Sequence, residues 1–318
     1  MKQKILISTG GTGGHVIPAI TIYDHLKNEH EVTICTDVRG LKYLDINKFK
    51  IFEIDTPKLN RSILLPFTIL KVFFLTIKSL LLLKKEKIQI LISTGGYMSL
   101  PLCLASKILN IKIFLLEPNM TIGRANKFFL NFCEKIICYS NNINGLPNKF
   151  KNKMEISSPF IRKQYYEKKF KENNNEIFTI MIVGGSQGAQ IFDEIIHESI
   201  VKISKIKPLK IIHQTSQKKV NFFKKFYSEN NLENIVFNFD NNLDMLISQS
   251  DLCITRAGAS SLAEIAMLNV PFIAIPLPTS KDNHQLENAN YYRDKDCCWI
   301  INQKSFDRQK FQSLLLDI

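Results

Sequence analysis

Short apolar runs rich in β-branched residues alternate along this chain with longer stretches whose apolar positions recur every three to four residues. The short runs predict buried strands and the long ones amphipathic helices. In the first half, strands are expected at Lys4–Ser8, Glu31–Thr36, Ile88–Ser93, Lys112–Leu116 and Lys135–Tyr139. Helices are expected at Ile17–Asn28, Leu64–Lys85, Ser99–Leu109 and Ile122–Phe132, with Pro18 in a first turn, where its missing N–H costs nothing. A polar stretch follows, Ser157–Glu176, carrying Pro159 and three consecutive asparagines from Asn173; it reads as a linker. The alternation then resumes with strands at Ile177–Val183, Leu209–His213, Asn234–Phe239, Leu252–Thr255, Pro271–Ile275 and Cys297–Ile301. Helices near Ala189–Ile203, Lys218–Asn230, Ser260–Leu268 and His284–Tyr292 separate them. Strands separated by helices imply parallel sheets, so the expected fold class is α/β. The division is a first domain over 1–156, a linker over 157–176 and a second domain over 177–318. Both are expected to be Rossmann-like and doubly wound, facing each other across a cleft.

Three strand candidates end on glycines. Ile-Leu-Ile-Ser-Thr-Gly-Gly occurs at Ile5–Gly11 and again at Ile90–Gly96, and Ile177–Val183 runs into Gly184-Gly185-Ser186-Gln187-Gly188. Glycine lets a ligand approach bare amides, and a helix opening there presents N–H groups and a positive dipole end to an anion. Three such strand ends point to a phosphorylated ligand.

One segment changes the picture at the surface. Ile63–Leu83 is apolar enough to suggest a membrane span, but Lys71 and Lys78 interrupt it, seven residues apart and so on one helix face. Two central lysines make spanning expensive. An amphipathic helix lying in an anionic lipid surface fits better, beside the plainer reading as a crossover helix with one face in the core.

The chain has 318 residues, 45% hydrophobic and 22% charged, which is a globular composition with room for two cores. Its net charge of +13 favours anionic partners, though the lysines are dispersed. The seven cysteines form no C-x-x-C pair, which predicts buried free thiols in a reducing compartment. No leader pattern precedes the first strand, so a cytosolic location is expected.

Gly10-Gly-Thr-Gly-Gly-His15 is neither of the familiar phosphate loops. G-x-G-x-x-G would need glycine at Val16, and the P-loop would need Lys-Ser/Thr after its last glycine. A nicotinamide cofactor and ATP hydrolysis both lose ground. His15 falls at a helix start, which favours the neutral ring and hence a proton acceptor, although a lone His there also serves as a cap. Thr255-Arg-Ala-Gly-Ala-Ser-Ser-Leu-Ala-Glu264 ends a strand and opens a helix with small residues whose amides suit a diphosphate. Glu264 suits two vicinal hydroxyls such as a ribose's, or simply the helix dipole. Ile275 to Gln285 ends another strand in a polar loop that suits sugar hydroxyls. Asp294-Lys-Asp296 is formally D-x-D, but it follows a helix away from the glycine turns and reads as solvated charge.

Gly-Gly-Thr-Gly-Gly-His-Val-x-Pro, Gly-Gly-Ser-Gln-Gly-Ala, Arg-x-Gly-Ala-x-x-x-x-Glu and Lys-Asp-x-x-Gln, in order over nearly the whole chain, resemble the MurG family. The resemblance implies a GT-B glycosyltransferase. Its members move N-acetylglucosamine from UDP-N-acetylglucosamine to undecaprenyl-pyrophosphoryl-N-acetylmuramoyl-pentapeptide in peptidoglycan synthesis. It implies inverting transfer to the acceptor's 4-hydroxyl without cofactor or metal, amides and helix dipoles stabilising the leaving diphosphate. It further implies a peripheral protein on the cytoplasmic face of the inner membrane, with no nucleic-acid partner. Carried over by motif, His15, Tyr97 and Glu117 are the catalytic candidates, His15 as base and Tyr97 toward the acceptor. Thr12, Gly13 and Gly14 would lie at the diphosphate and acceptor side, and Asn119 at the donor sugar. Arg162 would lie near the nucleotide and Ser186 at a phosphate. Ala259, Ser260, Ser261, Leu262 and Ala263 would hold diphosphate and sugar, Glu264 the ribose, and Gln285 the sugar hydroxyls. Asp240 stands where the family has an apolar residue reading the uracil. Ser158-Pro-Phe-Ile-Arg162 carries one residue more than the family's Asn-Pro-x-Arg, and Pro118 replaces a glutamine. Family members usually continue through a further helical segment beyond the position matching Ile318. Three alternatives stay open: a UDP-N-acetylglucosamine 2-epimerase, a transferase with a diacylglycerol acceptor, and a non-catalytic sugar-nucleotide-binding subunit.

Overall fold

In the computed structural model, which describes residues 2–57, 65–166, 177–184, 191–240 and 242–318, the apolar runs form two all-parallel sheets. They lie in two compact units, Met1–Ile161 and Arg162–Ile318.

The first unit holds β1 (Lys4–Ser8), β2 (Glu31–Thr36), β3 (Ile51–Glu53), β4 (Ile90–Ser93), β5 (Lys112–Glu117), β6 (Lys135–Cys138) and β7 (Met154–Ile156). Their order is β3-β2-β1-β4-β5-β6-β7. Helices α1 (Gly13–Leu26), α2 (Val38–Leu41), α3 (Leu65–Glu86), α4 (Leu100–Ile108) and α5 (Arg124–Phe129) connect them. The winding reverses at β1: the chain first builds outward through β2 and β3, then returns to place β4 on β1's other side. Ligands of open α/β sheets bind at the carboxyl ends of the two strands flanking such a reversal. Here those strands are the two copies of the repeated heptapeptide, paired in register as Ile5–Ile90, Leu6–Leu91, Ile7–Ile92 and Ser8–Ser93.

The second unit repeats the plan with β8 (Phe178–Val183), β9 (Leu209–Gln214), β10 (Glu233–Phe237), β11 (Leu252–Thr255), β12 (Phe272–Ala274) and β13 (Cys298–Ile300). The order is β10-β9-β8-β11-β12-β13, so the reversal lies between β8 and β11. Its helices are α6 (Lys163–Tyr166), α7 (His197–Ser204), α8 (Val220–Glu229), α9 (Leu243–Ser248), α10 (Ala259–Met267), α11 (His284–Arg293) and α12 (Arg308–Asp317). The central strands are buried on both faces: Leu6, Ile7, Ile182, Ile254 and Ile273 are fully enclosed. That accounts for continuous apolar runs in place of alternation.

Several elements differ from the sequence expectation. The first helix begins at Gly13, four residues early, so His15 lies within it and Pro18 falls in its interior. Strands β3 and β7 and helices α2, α9 and α12 escape the pattern because each is short or mostly polar. Within the expected linker, Lys163–Tyr166 is helical, and 167–176 lies outside the described residues. A π-helical turn, Phe192–Ile196, precedes α7 where one continuous helix was expected. Six cysteines are buried and Cys297 is half-buried, all as free thiols. Burial pushes the Cys35 thiol up to about 12, far from reactivity.

Candidate active site

In the first unit the glycine turns after β1 and β4 are tied together. The Thr94 amide donates to the Ser8 carbonyl at 3.0 Å, and the Thr94 hydroxyl donates to the Thr9 hydroxyl at 2.9 Å. Thr12 is the extended residue that precedes α1, and Gly13 and Gly14 form its first turn. His15 reaches across from that turn, its Nδ1 2.8 Å from the Thr94 carbonyl oxygen. A carbonyl only accepts, so Nδ1 carries the hydrogen and Nε2 of the neutral ring carries the lone pair. Gly96, at φ +83°, lies against that ring; a Cβ there would stand 3.5 Å from His15 Cδ2 and 3.7 Å from Nε2. Any side chain at Gly96 would be strained and would crowd the lone pair.

Beneath the β1 turn lies a residue the sequence reading missed. Asp37, fully buried past β2, accepts from the Gly11 amide at 2.8 Å and the Gly40 amide at 2.9 Å through Oδ1. Its Oδ2 accepts from Arg39 Nε at 2.9 Å. Burial alone would raise this carboxyl, but the Gly11 amide, Arg39 and the Gly40 amide outweigh it and hold it below the usual carboxylate range. In dinucleotide-binding folds an acid at this strand end takes a ribose; here the glycine loop and Arg39 consume it. Gly10 passes so close that a Cβ would stand 2.7 Å from Asp37 Oδ1. The Arg39 guanidinium lies 4.9 Å over the ring of Tyr97, whose hydroxyl burial holds above its ordinary value. Tyr97 therefore sits beside the glycine turns. The signal for Asp37 was available: a lone acid directly after a predicted strand, 26 residues beyond Gly11.

Glu117, expected to be catalytic, ends β5 at 2% exposure. Oε1 accepts from the Asn119 amide at 3.3 Å and from Nδ2 of Asn119 at 3.1 Å. Oε2 accepts from the Gly123 amide at 2.7 Å and from Asn126 Nδ2 at 3.0 Å. Burial pushes its pKa above the usual range, the four donors working the other way. With both oxygens engaged by its own loop, Glu117 braces Asn119.

In the second unit β8 ends at Val183–Gly184, and Ser186 lies outside the described residues. Across the reversal, β11 runs through Arg256-Ala257-Gly258 into α10. Gly258 precedes that helix in extended conformation and brings no capping side chain to its first amides. Ala259, Ser260 and Ser261 are half-buried there. Leu262 and Ala263 are buried, and the Leu262 amide already donates to the Gly258 carbonyl at 2.9 Å. Their side chains build the core side of the helix. Arg256 Nη1 donates to the Ile275 carbonyl at 3.0 Å and Gln303 Oε1 at 2.8 Å, lashing the ends of β11 and β12 together.

Glu264, 6% exposed, is held by Arg162 in a two-point fork: Nε to Oε1 at 2.7 Å and Nη2 to Oε2 at 2.8 Å. Burial opposes the Arg162 charge, but Glu264 prevails and holds its pKa above the ordinary value. Gln285, in the first turn of α11, accepts from the Leu277 amide at 2.9 Å through Oε1 and so shapes the loop after β12. Asp282 and Asn283 in that loop adopt φ of 52° and 53°, a left-handed conformation rare outside glycine. Asp240 accepts from the Asn242 amide at 2.7 Å, while the neighbouring Phe239 ring is 74% exposed just past β10. Among the described residues no group of three or more His, Cys, Asp or Glu stands in an arrangement to hold a metal, and Asp294 pairs with Arg293 at 2.8 Å.

Comparison with known proteins adds the family. Residues 5–138 match the glycosyltransferase family 28 N-terminal domain, and residues 179–318 match the family 28 C-terminal domain. A Pelagibacter ubique UDP-N-acetylglucosamine–N-acetylmuramyl-(pentapeptide) pyrophosphoryl-undecaprenol N-acetylglucosamine transferase is 47% identical, over 100% of this chain and 90% of that protein. The same-named protein of Rickettsia felis is 33% identical over 99% of this chain and 91% of its own length. Among solved structures, Acinetobacter baumannii MurG superposes with a TM-score of 0.79 at 24% identity, covering 100% of this chain and 90% of that one, a likeness of fold.

Proposed function

Because this chain belongs to glycosyltransferase family 28, and within it to the MurG enzymes, we propose how its strand-end sites divide the reaction. The protein is an N-acetylglucosaminyltransferase of peptidoglycan synthesis. It transfers N-acetylglucosamine from UDP-N-acetylglucosamine to the 4-hydroxyl of undecaprenyl-pyrophosphoryl-N-acetylmuramoyl-pentapeptide. What carries the division of roles is that the family's motifs fall at the carboxyl ends of β1, β4, β8 and β11, the strands flanking the two winding reversals.

The second unit takes the donor. The first amides of α10, with Ser260 and Ser261, receive the diphosphate, Glu264 the ribose, and the exposed Phe239 ring offers a face to the uracil. Gln285 and the strained loop before it receive the sugar. The first unit takes the acceptor, with Thr12, Gly13, Gly14 and Tyr97 beside the reacting hydroxyl. His15 Nε2 accepts the 4-hydroxyl proton as that oxygen bonds to C1 with inversion. The C1–oxygen bond to the diphosphate breaks, its electron pair leaving with UDP, and amide dipoles offset the growing charge. Glu117 positions Asn119 and takes no proton.

The acceptor's prenyl chain lies in a membrane, and α3 supplies a docking face on the cytoplasmic side. Its buried stripe is Val72, Thr76, Ser79 and Leu83. Phe67, Ile69, Leu70, Phe73, Phe74 and Leu81 point outward, all more than half exposed. The usual distribution is inverted, with bulky apolar groups outside and two hydroxyls inside, each bonded to its own helix at 2.8 Å. Lys71, Lys78, Lys84 and Lys85 are exposed on the same helix and suit anionic headgroups.

Purified protein given labelled UDP-N-acetylglucosamine should transfer label to a prenyl-pyrophosphoryl-muramoyl-pentapeptide and release UDP only when that acceptor is present. Label appearing in UDP-N-acetylmannosamine without acceptor, or no turnover at all, would sink the reading. Relatives at 47% and 33% identity that carry the transferase name leave the epimerase, diacylglycerol and non-catalytic readings without support.

A further inference from the structure

The acceptor's muramoyl sugar has to be placed by both ends. Its 4-hydroxyl must reach His15, while its C1 oxygen, across the pyranose ring, carries the diphosphate. With the acceptor in the first unit, a cation is needed about one sugar ring away from the imidazole.

Arg39 stands in that direction. The His15 ring lies against Gly96, Tyr97 follows Gly96 in the chain, and the Arg39 guanidinium lies over the Tyr97 ring at 4.9 Å. On its other flank is the Gly11 turn, where a Cβ would stand 3.5 Å from Nη2 and 3.8 Å from Cζ. Asp37 holds the guanidinium without exhausting it. Nε and Nη2 both donate to one oxygen, Oδ2, because Oδ1 is taken by the Gly11 and Gly40 amides. A guanidinium has five N–H groups in a rigid fork, so three remain. Nη1 makes no hydrogen bond among the described residues. The Arg39 side chain is 40% exposed, whereas that of Asp37 is fully enclosed. A buried carboxylate behind a half-exposed guanidinium fixes where the remaining N–H groups point. That suits the planar, two-point recognition of a phosphate. Asp55, the further acid whose charge reaches Arg39, is itself exposed, where water and salt screen it.

We infer that Arg39 binds the acceptor's diphosphate through Nη1 and the free N–H of Nη2, held in place for that contact by Asp37 and the Tyr97 ring. This inference rests on the acceptor site proposed above and adds to it a contact outside the glycine motifs. The acceptor's other anions, the peptide carboxylates, branch from the sugar at O3, next to the 4-hydroxyl, and so leave it on the His15 side.

The test measures transfer from UDP-N-acetylglucosamine to three water-soluble acceptors. They are a short-chain prenyl-pyrophosphoryl-muramoyl-pentapeptide, the same compound with its peptide carboxylates amidated, and a 1-O-alkyl muramoyl-pentapeptide lacking the diphosphate. Wild type should prefer both diphosphates to the alkyl glycoside. R39M should lower kcat/KM for both diphosphates by on the order of 10–100-fold, mostly through KM, the scale of one or two hydrogen bonds to a charged group. Its kcat/KM for the alkyl glycoside and its KM for UDP-N-acetylglucosamine should stay within about twofold of wild type, because neither involves the lost contact. R39K, which keeps the charge without the fork, should fall between.

Equal losses with all three acceptors would make Arg39 a brace of the Gly11 turn alone and overturn the inference. A loss confined to the acceptor with free carboxylates would assign Arg39 to the peptide, and a raised KM for the donor would assign it to the nucleotide; either overturns it. R39M leaves Asp37 buried without its cation, so should it fail to fold, D37N/R39M removes both charges and is read by the same comparison. Should wild type turn over the alkyl glycoside too slowly to measure, inhibition by farnesyl diphosphate in competition with the acceptor reads the same contact. That inhibition should weaken in R39M by the same factor, and unchanged inhibition overturns the inference. No transfer by wild type to either diphosphate acceptor removes the transferase reading itself, a result separate from any that concerns Arg39.

Discussion

At β1 and β4 of the first unit, two identical heptapeptides pair in register and close on glycines. At β8 and β11 of the second, two unlike strands meet at the same kind of reversal. Each reversal has an arginine–carboxylate pair nearby, but the pairs differ in what they hold: Asp37 ties a glycine loop, Glu264 ties α10 to Arg162 and Tyr165. Asp37 gives Oδ1 to two loop amides and Oδ2 to Arg39, so it is consumed in holding the Gly11 turn. Glu264 takes a two-point fork from Arg162 and a further hydrogen bond with the Tyr165 hydroxyl. The first unit places an imidazole, His15, at its reversal, with Nδ1 2.8 Å from the Thr94 carbonyl oxygen. On the roles proposed above, one scaffold, built twice, serves proton acceptance in one copy and hydroxyl recognition in the other. Function lies in the side chains placed at each reversal and not in the shared scaffold.

The sharpest way to break this contrast is to remove the imidazole. H15A should lower turnover with the lipid acceptor by on the order of 10²–10⁴-fold, the usual contribution of a general base. Affinity for UDP, which the proposed donor site places in the second unit, should stay within about twofold. H15N, whose amide can still donate to the Thr94 carbonyl, should fold as wild type and remain nearly as inactive. Equal losses in turnover and UDP affinity would show that the two reversals do not divide the work.

Much of this was legible in the chain. The heptapeptide repeat marked both strands at the first reversal, because a fully buried parallel strand has almost one composition available to it. Thr255–Glu264 marked the second reversal by its change from β-branched to small residues. What stayed hidden depends on contacts remote in sequence. Arg162 and Glu264 lie 102 positions apart, and no local pattern shows that they meet. Asp37 was passed over because a single acid after a strand is unremarkable until Gly11 and Arg39 fold onto it. That the side chains of Leu262 and Ala263 turn into the core follows from helical geometry and not from their neighbourhood to Ser261. Strands β3 and β7, three residues each, are fixed by their neighbours β2 and β6 and not by their own apolar content.

A second way to sharpen the comparison is through the solvent each substrate occupies. Among the described residues α3 is the one helix long and apolar enough to cross a membrane, and it belongs to the first unit. Its exposed Phe73 and Phe74 should each contribute at least about 1.5 kcal/mol on burial in an apolar surface. F73S/F74S should therefore lower partitioning onto anionic vesicles by on the order of 100-fold, leaving turnover with a short, water-soluble acceptor analogue near wild type. Unaltered vesicle binding by a folded variant would remove α3 as the docking face and leave the sequence's excess of apolar residues unexplained.

The smallest effect is expected where the first unit's carboxylate is spent on structure. Asp37 titrates below its ordinary value because the Gly11 amide, Arg39 and the Gly40 amide outweigh the cost of its burial. A group with a depressed native pKa stabilises fully above its unfolded value, about 3.9 for Asp, and loses that contribution as pH falls through the lower native value. D37N keeps an oxygen for the two amides but loses the ionic partner of Arg39. It should cost about 1–3 kcal/mol at neutral pH, the scale of a hydrogen bond to a charged group, and progressively less in acid. Melting curves of wild type and D37N should converge as pH drops below about 3.9, since wild-type Asp37 is then itself losing its charge. UDP affinity should not change, for the residue braces the first unit's loop. A penalty that is the same at every pH would assign Asp37's role to packing and not to charge. A loss of UDP affinity would mean that the first unit's carboxylate also serves the donor, and that the proposed division of work between the units does not hold.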